Sequence, residues 1–352
     1  MIKGATTKAD LSKSRAHWID ASTIAWDAET APANSYLLHY AADGGIKLAN
    51  NVVTGGASIP LIYDPSGLTP EQKALWPHLA AYKTFKIRAQ DQGLISTILK
   101  GQFVVSAGTA DFAKDASGVQ LPGVLDDLYT YTGPLGATFT GGVPTVRVWA
   151  PTAKSVNLQV FADATSPALA VLPMTEGAEG VWSVTGDADW NGKYYLFEVE
   201  VYVPATGKVE KNLVTDPYSL ALATNSTRSI LVDLADPATK PAGWGTVAKP
   251  PLGAPEDIAL YELHVRDFSV NDQSVPEAAR GTFAAFTYDN SDGMKHLKSL
   301  QAAGLTHVHL LPAFDFATVN EDKTQRRAEC ARCARFGPSA GGGGGCGCHG
   351  WL

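Results

Sequence analysis

Val143-Pro-Thr-Val-Arg-Val-Trp-Ala-Pro-Thr-Ala-Lys-Ser-Val-Asn-Leu-Gln-Val-Phe161 is the stretch on which the reading of this chain turns. Apolar and polar residues alternate over 143–149 and again over 155–161, the period of a strand with one buried face. Working outward, Gly180-Val-Trp-Ser-Val-Thr185 and Tyr194-Tyr-Leu-Phe-Glu-Val-Glu-Val-Tyr202 repeat the pattern, and Gly-containing turns and Asp216-Pro217-Tyr218 follow. Short strands at roughly 8–12-residue spacing, punctuated by Pro and Gly, predict an antiparallel β-sandwich over 125–240.

Upstream, Ser35-Tyr-Leu-Leu-His-Tyr40 and Gln102-Phe-Val-Val-Ser106 read as strands bounded by Asp43-Gly44-Gly45 and Ala107-Gly108. Residues 17–124 are therefore expected to form a mainly β module. Residues 1–16, of which Met1–Lys13 carries Lys3, Lys8 and Lys13 against Asp10, lack the apolar core of a secretory signal. They are expected to be a disordered leader, with the remnant of an organelle transit peptide as the alternative.

Downstream, the segment Lys240 to Pro255 holds four prolines and reads as a linker, 241–256. The grammar then changes. Ile258-Ala-Leu-Tyr-Glu-Leu-His-Val265 reads as a strand. Ser291 is a plausible N-cap for a helix that repeats Met294, Leu297 and Leu300 and stops at Gly304. Thr306-His-Val-His-Leu-Leu311 is the next strand, ended by Pro312. Strand, helix, strand over 257–325 is a βαβ unit, the building block of a parallel sheet or barrel.

The 352 residues are 45% hydrophobic and 18% charged, with a formal net charge of −7. That length implies two or three domains with proper cores. The mild negative balance argues against a nucleic-acid partner. No apolar run reaches the ~18–20 residues of a membrane span. Cysteine is absent until Cys330, Cys333, Cys346 and Cys348, so the body carries no disulfide framework. The Arg-, Gly- and Cys-rich tail, 326–352, is expected to be disordered. Its cysteines with His349 have a spacing that admits zinc. An out-of-frame or mis-spliced reading of a G+C-rich gene explains the composition more simply.

Trp149-Ala-Pro-Thr-Ala-Lys-Ser-Val156, with Gly133-Pro-Leu-Gly-Ala137 before it and Asp216-Pro-Tyr218 after, resembles the N-terminal β-sandwich module of glycoside hydrolase family 13 debranching enzymes. Tyr261-Glu-Leu-His-Val-Arg-Asp-Phe-Ser269 and Gly304-Leu-Thr-His-Val-His-Leu-Leu-Pro-Ala-Phe-Asp315 resemble the first two strands of the catalytic barrel in pullulanases and plant-type limit dextrinases. Leu121-Pro-Gly-Val-Leu-Asp-Asp127 and His17-Trp18…Ile24-Ala-Trp26 fit the same group, so the likeness runs from about 17 to 325.

The resemblance implies a multidomain chain of two N-terminal mainly β modules, the second carbohydrate-binding-like, followed by the truncated start of a (β/α)8 barrel. It implies retaining hydrolysis of α-1,6-glucosidic linkages in pullulan, amylopectin or limit dextrins. An α-glucan is the expected partner and a plastid the expected compartment. No cofactor is expected, with calcium an option in intact relatives. The family's three catalytic carboxylates belong to the fourth, fifth and seventh barrel strands. A barrel needs roughly 250 residues, and 257–325 offers 69. No residue is therefore assigned a catalytic role, and this chain is expected to be inactive alone. The alternative is a non-catalytic glucan-binding or regulatory short isoform.

Trp182 and Trp190 are the candidates for stacking on sugar faces in the sandwich, and Phe314 and Asp315 for lining a subsite beyond the second parallel strand. The loop Phe161-Ala-Asp-Ala-Thr-Ser-Pro167 lacks a tryptophan where glycogen-binding relatives often place one, which favours packing between domains over independent starch binding. Glu262, His264 and Arg266 are expected to share a strand face, with Glu262 paired to Arg266 and Asp267 near the barrel mouth. His307 and His309 share another face and read as hydrogen-bonded histidines rather than metal ligands. Trp18, Trp26 and Trp76 read as core residues.

Overall fold

The computed structural model describes residues 8–109, 111–311, 313, 320–322 and 325. They fall in two compact units, 1–235 and 236–352.

The first unit starts with β1 (Ala16–Asp20), β2 (Thr23–Trp26), β3 (Ser35–Ala41), the small hairpin β4 (Lys47–Ala49) and β5 (Val52–Thr54), then β6 (Ala57–Asp64), β7 (Lys83–Ile87), β8 (Gln102–Thr109) and β9 (Phe112–Gln120). Seven of these close into a barrel in the order β1-β2-β7-β6-β3-β8-β9. Neighbours are antiparallel except at the seam, where β9 returns parallel to β1 and pairs Ala16 with Val119 and His17 with Gln120. Strand alternation sends Trp18, Ile24, Trp26, Leu38, Phe85 and Val105 into one interior cluster. The Phe85 ring lies 4.8 Å from Tyr36 and 5.8 Å from Trp26. Removing such side chains from water contributes ~1.5–3 kcal/mol each, so the barrel is a packed core and not a pore. Trp18 and Trp26 are core residues, as expected, while Trp76 packs half-buried on the outside beside Ile19 and Leu79.

Three short helices dress this barrel: α1 (Pro70–Leu75), α2 (Ile95–Leu99) and α3 (Pro122–Leu128). Thr69 caps α1 reciprocally, its hydroxyl accepting from the Gln72 N–H while the Gln72 side chain accepts from the Thr69 N–H. α3 lies hard against β1. A Cβ at Gly123 would stand 2.5 Å from the Ile19 carbonyl oxygen, so only glycine fits there.

The leader expected over 1–16 is corrected from residue 8 onward. Lys8 N–H donates to the Lys114 carbonyl and Asp10 N–H to that of Ala116, each at 3.0 Å. Arg15 pairs with Asp27 at 2.7 Å and with the buried Asp115. The physical reason is electrostatic: an aspartate inside a sheet needs a cationic partner, and the chain before β1 supplies it. Residues 1–7 lie outside the described residues.

The sandwich follows with β10 (Gly136–Thr140), β11 (Val143–Trp149), β12 (Ala153–Phe161), β13 (Ala168–Pro173), β14 (Thr175–Glu176), β15 (Val181–Thr185), β16 (Tyr194–Val203), β17 (Lys208–Val214) and β18 (Ser229–Ile230). One sheet has the order β10-β11-β15-β14; the other is β13-β12-β16-β17 with β18 added on β16. All pairs are antiparallel, and Val146, Leu158, Tyr195, Phe197 and Leu231 fill the space between the sheets. Two mainly β domains in tandem are thus what the sequence led one to expect; the closed barrel in the first is an addition.

In the second unit, short 3-10 turns at Pro237–Thr239, Trp244–Thr246 and Pro255–Asp257 occupy the proline-rich stretch. Then come β19 (Leu260–Leu263), α4 (Val265–Ser269), α5 (Asp292–Ala302) and β20 (His307–Leu310), with β19 and β20 paired in parallel. Ser291 caps α5 by accepting from the Met294 N–H at 3.3 Å, and Gly304 follows with φ of 108°. Leu260, Val308 and Leu310 remain exposed. The further strands of a barrel are not among the described residues.

β19 is shorter than expected. It ends at Leu263, and His264 becomes the cap of α4, its carbonyl accepting from the Phe268 N–H at 3.0 Å. The apolar run 258–265 reads as continuous strand because burial periodicity does not register a local turn.

Candidate functional site

Neither tryptophan expected to meet sugar offers a free ring face. Trp182 is 6% exposed; it sits opposite Val148 in the β11–β15 pair, and its indole N–H donates to the Ala150 carbonyl at 3.0 Å. Trp190 is 5% exposed and so close to Gly186 that a Cβ there would lie 2.1 Å from the ring. Both are core side chains, which corrects the stacking role: burial of so large an apolar surface wins over presenting it to solvent. Phe314 and Asp315 lie outside the described residues.

The candidates of the second unit are rearranged by the early end of β19. Glu262 faces His309 across the parallel register, carboxylate to imidazole at 3.8 Å. Arg266 lies in α4 beyond the strand, so the two do not share a face as expected. His264 lies 3.8 Å from Asp267, and His307 bonds to the Thr306 hydroxyl at 2.9 Å. Among the described residues, no group of three or more His, Cys, Asp or Glu stands close enough to hold a metal ion.

Chemistry-bearing side chains gather instead where the barrel meets the sandwich, both within the first unit. Lys100, just after α2, reaches both carboxylate oxygens of Glu176 in β14 at 2.7 and 2.6 Å. The same ammonium stands 5.5 Å from the centre of the Trp182 ring, a cation–π contact. Lys154 of β12 bonds to Asp43, in the turn after β3, at 2.7 Å. The Trp149 indole donates to the Tyr129 carbonyl at 2.9 Å. Burial, assisted by the charge of Glu176, pushes the Tyr129 phenol up. Lys100, Lys154, Glu176 and Tyr129 border a cleft of about 520 Å³. Sequence reasoning did not single out Lys100, Glu176 or Tyr129, since each is an ordinary residue whose partner lies tens of positions away.

A second polar arrangement covers the outer face of the β13-β12-β16-β17 sheet. Asn157 and Gln159 donate to the two oxygens of Glu198 at 3.0 and 2.9 Å, and Ser155 donates to Glu200 at 2.8 Å. Such mutually fixed amides and carboxylates can bind hydroxyl groups. The 161–167 loop is braced rather than open: the Arg228 guanidinium lies 3.6 Å over Phe161 and donates to the Asp163 carbonyl at 2.6 Å.

Comparison with known proteins agrees with this division. The pullulanase N2 domain family matches residues 13–127, and carbohydrate-binding module 48, the isoamylase N-terminal domain, matches 134–219. Pullulanase 1, chloroplastic, of Arabidopsis thaliana is 38% identical over 315 residues, covering 88% of this chain and 32% of that protein. Klebsiella pneumoniae pullulanase is 38% identical over 320 residues, 87% of this chain and 28% of that protein. The crystal structure of Klebsiella pneumoniae pullulanase complexed with maltotriose superposes with a TM-score of 0.85 at 34% identity, covering 95% of this chain and 33% of that one. The chain thus spans about a third of the length of the relatives it matches. Carrying a pullulanase N2 domain followed by a carbohydrate-binding module 48, the chain belongs with the N-terminal part of the pullulanases.

Proposed function

We propose that this chain is the glucan-handling N-terminal portion of a pullulanase-type debranching enzyme, which hydrolyses α-1,6-glucosidic linkages of starch or pullulan with retention. The order of parts carries the reading: an N2 barrel, a carbohydrate-binding module and then a parallel strand–helix–strand unit, aligned in one register with pullulanases over 315 residues. In this reading β19, α5 and β20 open a (β/α)8 barrel. Active sites of that fold are assembled from loops of several strands, so β19 and β20 contribute glucan contacts and not, by themselves, a catalytic site. The maltotriose bound by the Klebsiella relative supports an α-glucan as ligand, and the chloroplastic relative supports a plastid as compartment. No helix among the described residues is long and apolar enough to cross a membrane.

The test is amylopectin co-sedimentation of the full chain together with release of reducing ends from pullulan. Retention on amylopectin without hydrolysis is the expected result. Absence from the pellet at every polysaccharide concentration overturns the glucan reading, and hydrolysis overturns the assignment of catalysis to other residues.

A further inference from the structure

We infer that the cleft between barrel and sandwich is an α-glucan subsite, a place where two domains jointly hold one stretch of chain; this rests on the glucan reading above and adds its location. Ligand pockets favour domain interfaces and run to roughly 300–1,000 Å³, and this open cleft has a volume of about 520 Å³. A second depression of about 400 Å³, along Tyr40 to Gly44, shares Ala42 and Thr97 with it. The two together make a groove rather than a hole, suited to an extended oligomer.

The lining is that of a site for a neutral polyol. Lys100 and Lys154 supply ammonium donors, Glu176 a carboxylate, Ser96 and Thr97 exposed hydroxyls from α2, and Tyr129 a phenol. A carboxylate offers about four acceptor positions, and Lys100 engages one on each oxygen of Glu176, which leaves capacity for sugar hydroxyls. The two lysines are balanced by Glu176 and Asp43, so the groove has no net charge with which to select an anion. The lysine stems and Ala178 give the apolar surface on which sugar C–H faces rest. Ion pairs and the Trp149–Tyr129 bond already hold the walls in place, and binding to a preformed groove avoids the cost of ordering it.

One variant fills the groove without touching the bridges across it, and a second removes the ammonium of Lys154 together with its bridge to Asp43. Ala178 is exposed on the Gly177–Gly180 turn, so Ala178→Trp occupies the space from a site with room for the ring. The full-length wild type, Ala178→Trp and Lys154→Met are compared by maltoheptaose titration calorimetry and by affinity electrophoresis in amylopectin gels, with melting temperatures confirming the fold. A loss of about tenfold or more in affinity for Ala178→Trp, with a smaller loss for Lys154→Met, is expected. Wild-type binding that both folded variants retain in full overturns the groove and leaves the glucan reading standing. A wild type that binds neither ligand overturns both.

Discussion

Trp149 belongs to the sandwich by sequence and to the barrel by contact. Its indole N–H donates to the Tyr129 carbonyl at 2.9 Å, at the end of the helix packed on β1, and its ring rests against the barrel's core cluster. Cutting this tie uncouples two domains rather than hollowing out one. Trp149→Phe keeps most of the apolar contact and removes the bond, a cost of about 1 kcal/mol. In calorimetry, the first unit of the variant is expected to melt in two transitions where the wild type melts in one; a single transition at an unchanged temperature contradicts the tie.

Lys100 and Glu176 form the other strong bridge, both only partly exposed, with side chains 23% and 33% accessible. Exposed ion pairs are worth about 0.2–1 kcal/mol, and the bidentate geometry and the ring beneath place this one at the upper end. A double-mutant cycle of Lys100→Met and Glu176→Gln, read by urea unfolding, is expected to give a coupling of about 1 kcal/mol. A coupling indistinguishable from zero makes the pair a surface coincidence.

His39 is buried, its ring nitrogen 2.8 Å from the Ser106 hydroxyl, and burial holds its imidazole below the ordinary value of 6.5. The folded state prefers the neutral ring. The stabilisation is therefore complete above pH 6.5 and is lost as pH falls through the lowered folded value. His17, lowered by burial and by nearby His78, acts in the same direction. The urea midpoint is expected to drop between about pH 7 and about pH 5, and less so in His39→Gln. Equal slopes for the two proteins would remove His39 from the account.

Tyr195 and Asp216 make a buried pair inside the sandwich, the phenol donating to the carboxylate at 2.7 Å. Tyr218 N–H donates to the other oxygen at 2.8 Å. Burial nevertheless pushes the Asp216 carboxyl up. A group raised in this way contributes stability that fades as pH rises through its folded value, and deleting the phenol raises it further. Tyr195→Phe is expected to cost about 1–3 kcal/mol near pH 7 and less near pH 4. A deficit independent of pH, measured by chemical denaturation, would show that lost packing and not the carboxylate is responsible.

The strands of the sandwich were legible because alternation is local: 143–149 and 155–161 are β11 and most of β12 as written in the sequence. Ser291 and Gly304 marked their helix for the same reason, since capping chemistry acts within one turn. The seam of the first domain was not legible, because nothing in the 16–20 stretch names a partner near residue 119. Nor did periodicity separate a tryptophan that stacks on sugar from one that fills a core. That distinction depends on what the opposite sheet and the neighbouring domain bring up to the ring, as Lys100 and Gly186 do for Trp182 and Trp190.

The parallel seam between β1 and β9 also sets a clock. β1 is the first strand of this domain to leave the ribosome, and its pairing with Val119 and Gln120 must wait for the domain's last strand. At synthesis rates of about 5–20 residues per second, that wait is roughly 5–20 s, during which Trp18 and Ile24 have no closed interior to enter. Local hairpins can form in the meantime, but the domain is completed in one late step. A nascent chain halted before residue 119 therefore carries a barrel left open along its seam, with apolar interior and strand edges exposed of the kind that chaperones shield.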